Sequence, residues 1–116
     1  MDPRHNTRVK IVQELFSLGF TKQKKLDAKT VLIVKNQKGI EDAIRKHAPK
    51  FPIDKIAKVD LAILSLAVYE LILEKKEPPK VVINEAVDLA REMGSDKAYA
   101  FVNAVLGKIY NDNNKI

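Results

Sequence analysis

The chain has 116 residues, a formal net charge of +6 and 46% hydrophobic residues, which suits one hydrophobic core and a single domain over residues 1–116. It contains no cysteine, which excludes a disulfide framework, a thiolate nucleophile and a cysteine zinc site. No apolar run approaches the roughly 18 residues of a membrane span, and the polar residues 2–8 lack the apolar segment of a secretory signal, so we expect a soluble cytoplasmic protein with no membrane partner.

The positive charge is concentrated in the first half of the chain. Residues 1–50 carry a net charge of +7, whereas residues 51–116 carry −1. Such asymmetry is typical of a protein that binds a polyanion, and nucleic acid is the commonest soluble candidate. On charge alone, a lysine-rich solvated surface explains the pattern equally well.

A first helix is predicted from Asp2–Pro3 to about Leu18. Asp2 suits the N-cap, and Pro3 suits the first helical turn because proline lacks the N–H that would be unpaired there. Arg4 and Arg8 are four residues apart and therefore share one face of this helix, away from its apolar face. Gly19 is predicted to end it, and Thr21 is a candidate cap for the next helix.

The next part of the chain predicts two further helices. One is expected over residues 26–36, although the β-branched run Val31–Val34 is also compatible with a strand. We favour a helix because the sequence offers no second strand as a pairing partner. Residues 37–39 are predicted as a break, and another helix is predicted over residues 40–47 before two prolines interrupt the chain.

A central helix is predicted from Val59 to about Lys75. It is apolar nearly all round, so we expect it to be the most buried element. Pro79 is predicted to open the next helix as an N1 proline. Residues 111–116 are polar and are predicted to be frayed.

Residues 83–109 predict a helical hairpin with a break at Gly94. Gly94 is expected to adopt positive φ at the end of the first helix, and Ser95 or Asp96 is a candidate N-cap for the second. Asn84 and Glu85 are predicted to cap a helix N-terminus, and Asn103 to hydrogen-bond across helices in the core. The whole pattern indicates an all-α compact bundle of about six helices.

Groups that could carry catalysis are few. His5 and His47 have no further histidine or cysteine at metal-ligand spacing, and the glycines do not cluster into a phosphate-binding loop. The glutamates at 70, 74, 85 and 92 and Asp88 are interpreted as exposed, solvated carboxylates. We therefore predict no catalytic residues, no metal site, no cofactor and no enzymatic activity.

Three segments of the second half resemble the NusB family of transcription antitermination factors. They are D-L-A-I-L-S-L-A-V-Y-E-L from Asp60 to Leu71, I-N-E-A-V from Ile83 to Val87, and F-V-N-A-V-L from Phe101 to Leu106. The polar residues within these apolar runs make the match specific, because a helical stripe alone does not require them. The first helix matches more weakly, through Q-x-L-F at residues 13–16 and through Arg8.

The resemblance implies a non-enzymatic RNA-binding protein. In the family, the arginine-rich first helix and the start of the last helix form the surface for a single-stranded boxA RNA. Carried to this chain, that surface comprises Arg4, Arg8, Lys97, Tyr99 and Phe101, although the helical spacing of Phe101 with Val105 also permits a core role. Cations for phosphates and aromatic faces for bases are what single-stranded RNA requires, with stacking worth roughly 1–3 kcal/mol per base.

The resemblance also implies protein partners. These are the small-subunit ribosomal protein NusE and the elongating RNA polymerase during ribosomal RNA transcription. Tyr69 and Glu70 are predicted near the NusE surface, with a core role left open. A homodimer also stays open.

The chain departs from the family pattern in several places. Ser65 replaces the usual arginine, Ala104 replaces the usual glycine, and the segment between the first helix and Phe51 is shorter than usual. Two alternatives therefore stay open, namely a protein-interaction scaffold without RNA binding and a stand-alone relative of the NusB-like domain of ribosomal RNA cytosine methyltransferases. Replacing Arg4 and Arg8 by glutamate is expected to lower RNA affinity while leaving melting unchanged.

Overall fold

The computed structural model describes residues 2–18 and 25–114, and within these ranges it is helical with no strand. The expected all-α bundle is confirmed. Two predicted features, the helix end at Gly19 and the cap at Thr21, lie outside the described residues. The elements are α1 (Pro3–Ser17), α2 (Ala28–Lys35), α3 (Gln37–His47), a 3₁₀ turn (Ile53–Lys55), α4 (Lys58–Val68), a π-helical turn (Tyr69–Glu74), α5 (Pro79–Met93) and α6 (Ala98–Asn113).

The start of α1 is confirmed. The Asp2 carboxylate accepts a hydrogen bond from the Arg4 N–H at 2.9 Å, and Pro3 occupies the first turn. Ile11 and Val12 of this helix are fully buried against the core. Local capping and the burial of one apolar face therefore both favour helix here.

The helix predicted over residues 26–36 is confirmed, but the break predicted at residues 37–39 is wrong. The chain breaks at Asn36 instead, whose side chain donates to the Leu32 carbonyl at 2.8 Å. Gly39 lies within α3, where Ile40 and Ile44 are buried. Burial of this apolar face outweighs the cost of about 1 kcal/mol for a glycine inside a helix.

The prediction that α4 is the central element is confirmed. Residues 62–70 are all buried, and the helix packs against α1, α3, α5 and α6. The α-helix does not continue to Lys75 as predicted, because the chain widens into the π-helical turn at Tyr69. That turn ends at Lys75, whose φ is 55°.

The hairpin of α5 and α6 is confirmed, but the role predicted for Gly94 is wrong. Its φ is −79°, in the extended region. A Cβ at this position would lie 2.6 Å from the Ala90 carbonyl oxygen and 2.9 Å from Asp60 Oδ1. Glycine is therefore needed for close packing, while positive φ falls on Lys97 at 62°.

The Asp60 carboxylate fixes the α5–α6 turn to the start of α4. Although Asp60 is buried, it accepts hydrogen bonds from the Ser95 N–H at 3.1 Å and the Ser95 hydroxyl at 2.6 Å. The N-cap predicted at Ser95 or Asp96 is wrong. The Ser95 hydroxyl donates to Asp60 instead, and Lys97 occupies the cap position. The start of α6 is thereby held in place by a partly buried, charge-assisted contact.

Several predictions for polar residues are also wrong. Asn84 and Glu85 lie inside α5, which begins earlier, at Pro79, and so they cap no helix. Asn103 is exposed on α6 rather than buried in the core. The fraying predicted from residue 111 is wrong for residues 111–113, since α6 extends to Asn113 and Asp112 contacts His47 Nε2 at 2.5 Å; residues 115 and 116 lie outside the described part of the chain. Among the described residues, no helix has the length and apolar character needed to cross a membrane.

We expect Gly94→Ala to destabilise the fold. The new methyl group would meet a backbone oxygen that cannot move without distorting α5, so the cost should lie at or above the upper end of the roughly 1–3 kcal/mol typical of overpacking. Gly39→Ala is the matched control, because its Cβ would meet nothing within 4 Å and should stabilise α3 by roughly 0.5–1 kcal/mol. Urea unfolding followed by circular dichroism measures both, and equal stability of the two variants would contradict this packing argument.

Candidate nucleic-acid interface

A cleft lies between the 3₁₀ turn and the start of α6. Its lining includes Phe51 and Lys55 on one side, Lys97 and Phe101 on the other, and Asp60. Both lysines are exposed. The cleft therefore combines two cations with two aromatic rings.

The two phenylalanines of the cleft contact each other edge to face. Their ring centroids are 4.9 Å apart and their planes are inclined by 65°. Phe101 is partly buried and packs against the core, whereas Phe51 is 51% exposed. Phe101 thus serves the core and also supports an exposed ring.

Tyr99 lies on a different face of α6. Two residues along a helix are about 200° apart, so Tyr99 and Phe101 do not form one stacking surface. Tyr99 is instead 40% exposed beside the end of α5, where the Arg91 guanidinium carbon lies 4.8 Å from its ring centroid. This is a cation–π contact at an exposed site.

Arg8 is buried in ion pairs. Only 4% of the residue is exposed, and its Nε donates to both Glu70 carboxylate oxygens, at 3.0 and 3.2 Å. It also pairs with Glu77. Arg4 is different, because 65% of its side chain is exposed while it pairs with Asp2 at 3.0 Å and with Glu77 at 2.7 Å.

Glu70 is the centre of this network. It is 3% exposed and also accepts from Lys29 at 2.6 Å, while Lys29 reaches Glu74 at 3.1 Å. Interpreting the carboxylates of Glu70, Glu74 and Glu85 as exposed was therefore wrong, because these side chains are 3%, 14% and 21% exposed.

The two residues predicted to bind NusE lie inside the protein. Tyr69 is 8% exposed and belongs to the core cluster, and Glu70 is occupied by Arg8 and Lys29. Their part in partner binding stays a prediction. In this conformation both side chains stabilise the fold.

The structure does not bring all five predicted RNA-binding residues together. The charged groups of Arg4 and Arg8 meet at Glu77, just before α5, whereas Lys97 and Tyr99 adjoin the other end of α5. That helix has 15 residues and is therefore about 22 Å long. The predicted single surface thus consists of two separated groups of cations.

His5 lies between these two groups. Its Nδ1 is 3.2 Å from a Glu85 carboxylate oxygen and its Nε2 is 2.7 Å from a Glu92 oxygen. The hydrogen bond to Glu85, with the negative charges of Glu92 and Glu85, raises the pKa of His5 above its ordinary value of 6.5. Two carboxylates facing one imidazole favour its protonated form.

Comparison with known families decides the classification of the chain. The sequence model of the NusB family matches residues 5–111. This chain belongs to the NusB family. Within its described residues, this chain has no group of three or more histidine, aspartate or glutamate side chains suited to a metal ion.

Curated NusB proteins and a solved NusB structure support this assignment. The transcription antitermination protein NusB of Clostridium tetani is 44% identical over 77 residues, which are 66% of this chain and 50% of that protein. Treponema denticola NusB is 45% identical over 78 residues, which are 67% of this chain and 57% of that protein. The chain thus spans about half the length of the curated relatives it matches. A structure of T. maritima NusB superposes with a TM-score of 0.81 at 27% identity, covering 96% of this chain and 92% of that one.

Sequence reasoning missed three residues of the candidate interface. Phe51 and Lys55 belong to the sequence F-P-I-D-K-I, which resembles the NusB step W-P-L-x-R-L and by itself indicates only a step between helices. The available signal was an aromatic residue followed four positions later by a cation, in a turn that contains proline. Arg91 gave no comparable signal, because its contact with Tyr99 depends on how α5 and α6 pack.

We expect Arg8→Ala to destabilise this NusB-family fold by roughly 3 kcal/mol, the lower end of the range for breaking a buried ion pair, since Lys29 still compensates Glu70. The burial of Arg8 thus revises the expectation that melting stays unchanged when both arginines are replaced. Arg4→Ala is the control and should change stability little, because its exposed ion pairs are screened by water. Thermal and urea unfolding measure the difference, and an Arg8→Ala protein as stable as the parent would contradict the structural role.

We also expect His5 to make stability depend on pH. Its raised folded-state pKa means that the stabilisation is fully present below about pH 6.5 and is lost as the pH rises through the folded-state value. The free energy of unfolding of the parent protein, relative to His5→Gln, should therefore be highest below about pH 6.5 and should fall as the pH rises from there into the alkaline range. Urea unfolding across that range tests the idea, and a difference independent of pH would refute it.

Proposed function

We propose that this chain binds single-stranded RNA without catalysis and acts in transcription antitermination. Membership of the NusB family supports the process, since its curated relatives carry that name. The observation that carries the RNA proposal is the grouping at the start of α6. There, Lys97 and Phe101 line the cleft, and on another face of α6 the Tyr99 ring contacts Arg91 of α5.

Lys97 is the residue on which this surface depends. It is an exposed cation held at φ 62°, a conformation that costs a non-glycine residue roughly 1–3 kcal/mol and persists where neighbours enforce it. The Asp60–Ser95 hydrogen bonds, two residues before it, supply that constraint. A cation fixed beside aromatic rings suits a phosphate backbone whose bases stack nearby.

The arginines of α1 have unequal parts in this proposal. Arg4 is largely exposed and can give up its surface ion pairs to reach a phosphate. Direct contact of RNA with Arg8 would require its buried guanidinium to leave Glu70 and Glu77. We therefore place Arg8 outside the primary RNA surface, where it positions α1.

The proposed partners are a boxA-like RNA, the ribosomal protein NusE and the elongating RNA polymerase, as the family resemblance implies. For the protein partner, the outer face of α5 and α6 is more accessible than Tyr69 and Glu70. Asn84 of α5 and Asn103 of α6 are both exposed, and mid-helix asparagines contribute little to helix stability. Their amides can serve a partner by hydrogen bonding.

We expect Lys97→Gly to weaken binding to a boxA-like RNA without lowering stability. Glycine accepts positive φ readily, so the turn should be kept while the cation is lost. Loss of one phosphate contact should reduce the slope of log affinity against log salt by about 0.7. Fluorescence anisotropy at several salt concentrations measures both quantities.

Lys75→Gly is the matched control, because Lys75 also has positive φ, at 55°, but lies at the end of the π-helical turn. Its RNA affinity should equal that of the parent protein. Scrambled oligonucleotides, with and without NusE, test sequence preference. If the parent protein binds no RNA even with NusE, the proposal fails and the protein-interaction scaffold is favoured.

A further inference from the structure

We propose that the cleft between the 3₁₀ turn and α6 is a nucleotide subsite, with Phe51 as its stacking face and Lys55 as a second phosphate contact. This inference rests on the proposed RNA binding and deepens it. It adds Phe51 and Lys55 to the proposed RNA-binding surface, and both residues are far from α6 in sequence. The ligand class is one unpaired nucleotide within a single strand.

Phe51 has an unusual environment for a large aromatic residue. It is 51% exposed, the most exposed large hydrophobic side chain among the described residues. Its contact with Phe101 is edge to face, and this geometry leaves ring surface of the pair uncovered. An exposed ring that is braced by a second ring can accept the flat face of a base.

The charges around the cleft determine where a phosphate can lie. Lys55 of the 3₁₀ turn and Lys97 at the start of α6 both line the cleft, and so does Asp60. Both Asp60 oxygens already accept hydrogen bonds from Ser95, so a phosphate is repelled from the interior. The phosphate therefore lies at the rim, between the two lysines, although the exposed Asp96 opposes it there.

In this arrangement the aromatic ring and the lysines of the cleft bind different parts of the nucleotide. The base lies on Phe51 while the backbone passes between Lys55 and Lys97. Stacking accepts any base, because each has a flat π face. The subsite should therefore strengthen binding without deciding the sequence.

Two substitutions separate stacking from charge. Phe51→Leu keeps an apolar contact for Phe101 but removes the aromatic face, and it should weaken binding of a labelled boxA-like oligoribonucleotide of about 12 nucleotides by roughly 5- to 100-fold with an unchanged salt slope. Phe51→Tyr should restore affinity. Lys55→Ala should instead lower the salt slope by about 0.7.

Matched controls lie outside the cleft. Phe16 on α1 is 40% exposed and lines a different groove, so Phe16→Leu should leave affinity unchanged. Lys38→Ala on α3 is the control for Lys55→Ala. Thermal unfolding of every variant shows whether an affinity change reflects a loss of folded protein.

A direct spectroscopic test uses the absence of tryptophan from the sequence. Phe51→Trp introduces a single indole, whose emission should be quenched when a base stacks on it, whereas the emission of Phe16→Trp should not change. Single-stranded DNA of the same sequence and uridine monophosphate show whether the subsite needs ribose hydroxyls or a continuous strand. Quenching with either probe supports a base-stacking site.

The outcomes distinguish this inference from the broader proposal. If the parent protein binds RNA but Phe51→Leu binds equally well and Phe51→Trp is not quenched, the subsite is refuted and the proposed function stands. If no RNA binds the parent protein, the proposed function is refuted together with its subsite.

Discussion

The fold around the candidate site depends on one buried carboxylate. Asp60 lies near the start of α4 and receives two hydrogen bonds from Ser95, the residue next to the glycine between α5 and α6. Because the oxygens of Asp60 need the space that a side chain at position 94 would occupy, the glycine and the aspartate act as one unit. This unit sets the direction in which α6 begins, and with it the positions of Lys97 and Phe101.

A second, larger set of charges accounts for the basic first half of the chain. The cations of α1 and α2 do not all face solvent, since Arg8 and Lys29 are paired with Glu70 of the π-helical turn. A positive half and a slightly negative half of the sequence thus compensate each other across the fold. The net charge of a segment is therefore a poor measure of the charge that it offers to a nucleic acid, because burial removes part of it.

The sequence was sufficient for features that depend on local chemistry. The cap at Asp2, the N1 proline at Pro79 and the all-round apolar character of α4 each result from rules that act within a few residues. Family resemblance added the interest in Lys97 and Phe101. The roles of Gly94 and Asn103, in contrast, depend on which helices approach them, and no local pattern contains that information.

For the candidate site too, local sequence rules predict some features, whereas others depend on contacts between distant parts of the chain. The spacing of Arg4 and Arg8 correctly indicates neighbouring positions on α1, yet it cannot reveal that glutamates from a distant turn bury one of them. The sequence shows Phe51 as an aromatic residue before a proline. Its place in the candidate site, however, depends on its contact with Phe101, 50 positions later.

The π-helical turn has a consequence for how the chain can vary. The Lys75 N–H donates to the Glu70 carbonyl at 3.0 Å, five residues back, so this turn accommodates one residue more than an α-helix would. Deleting a single residue there would restore ordinary helical register and rotate the next part of the chain by about 100°. The carboxylates on either side of the deletion could then no longer face Arg8 and Lys29 together. Natural variation in this segment should therefore exchange side chains rather than change its length.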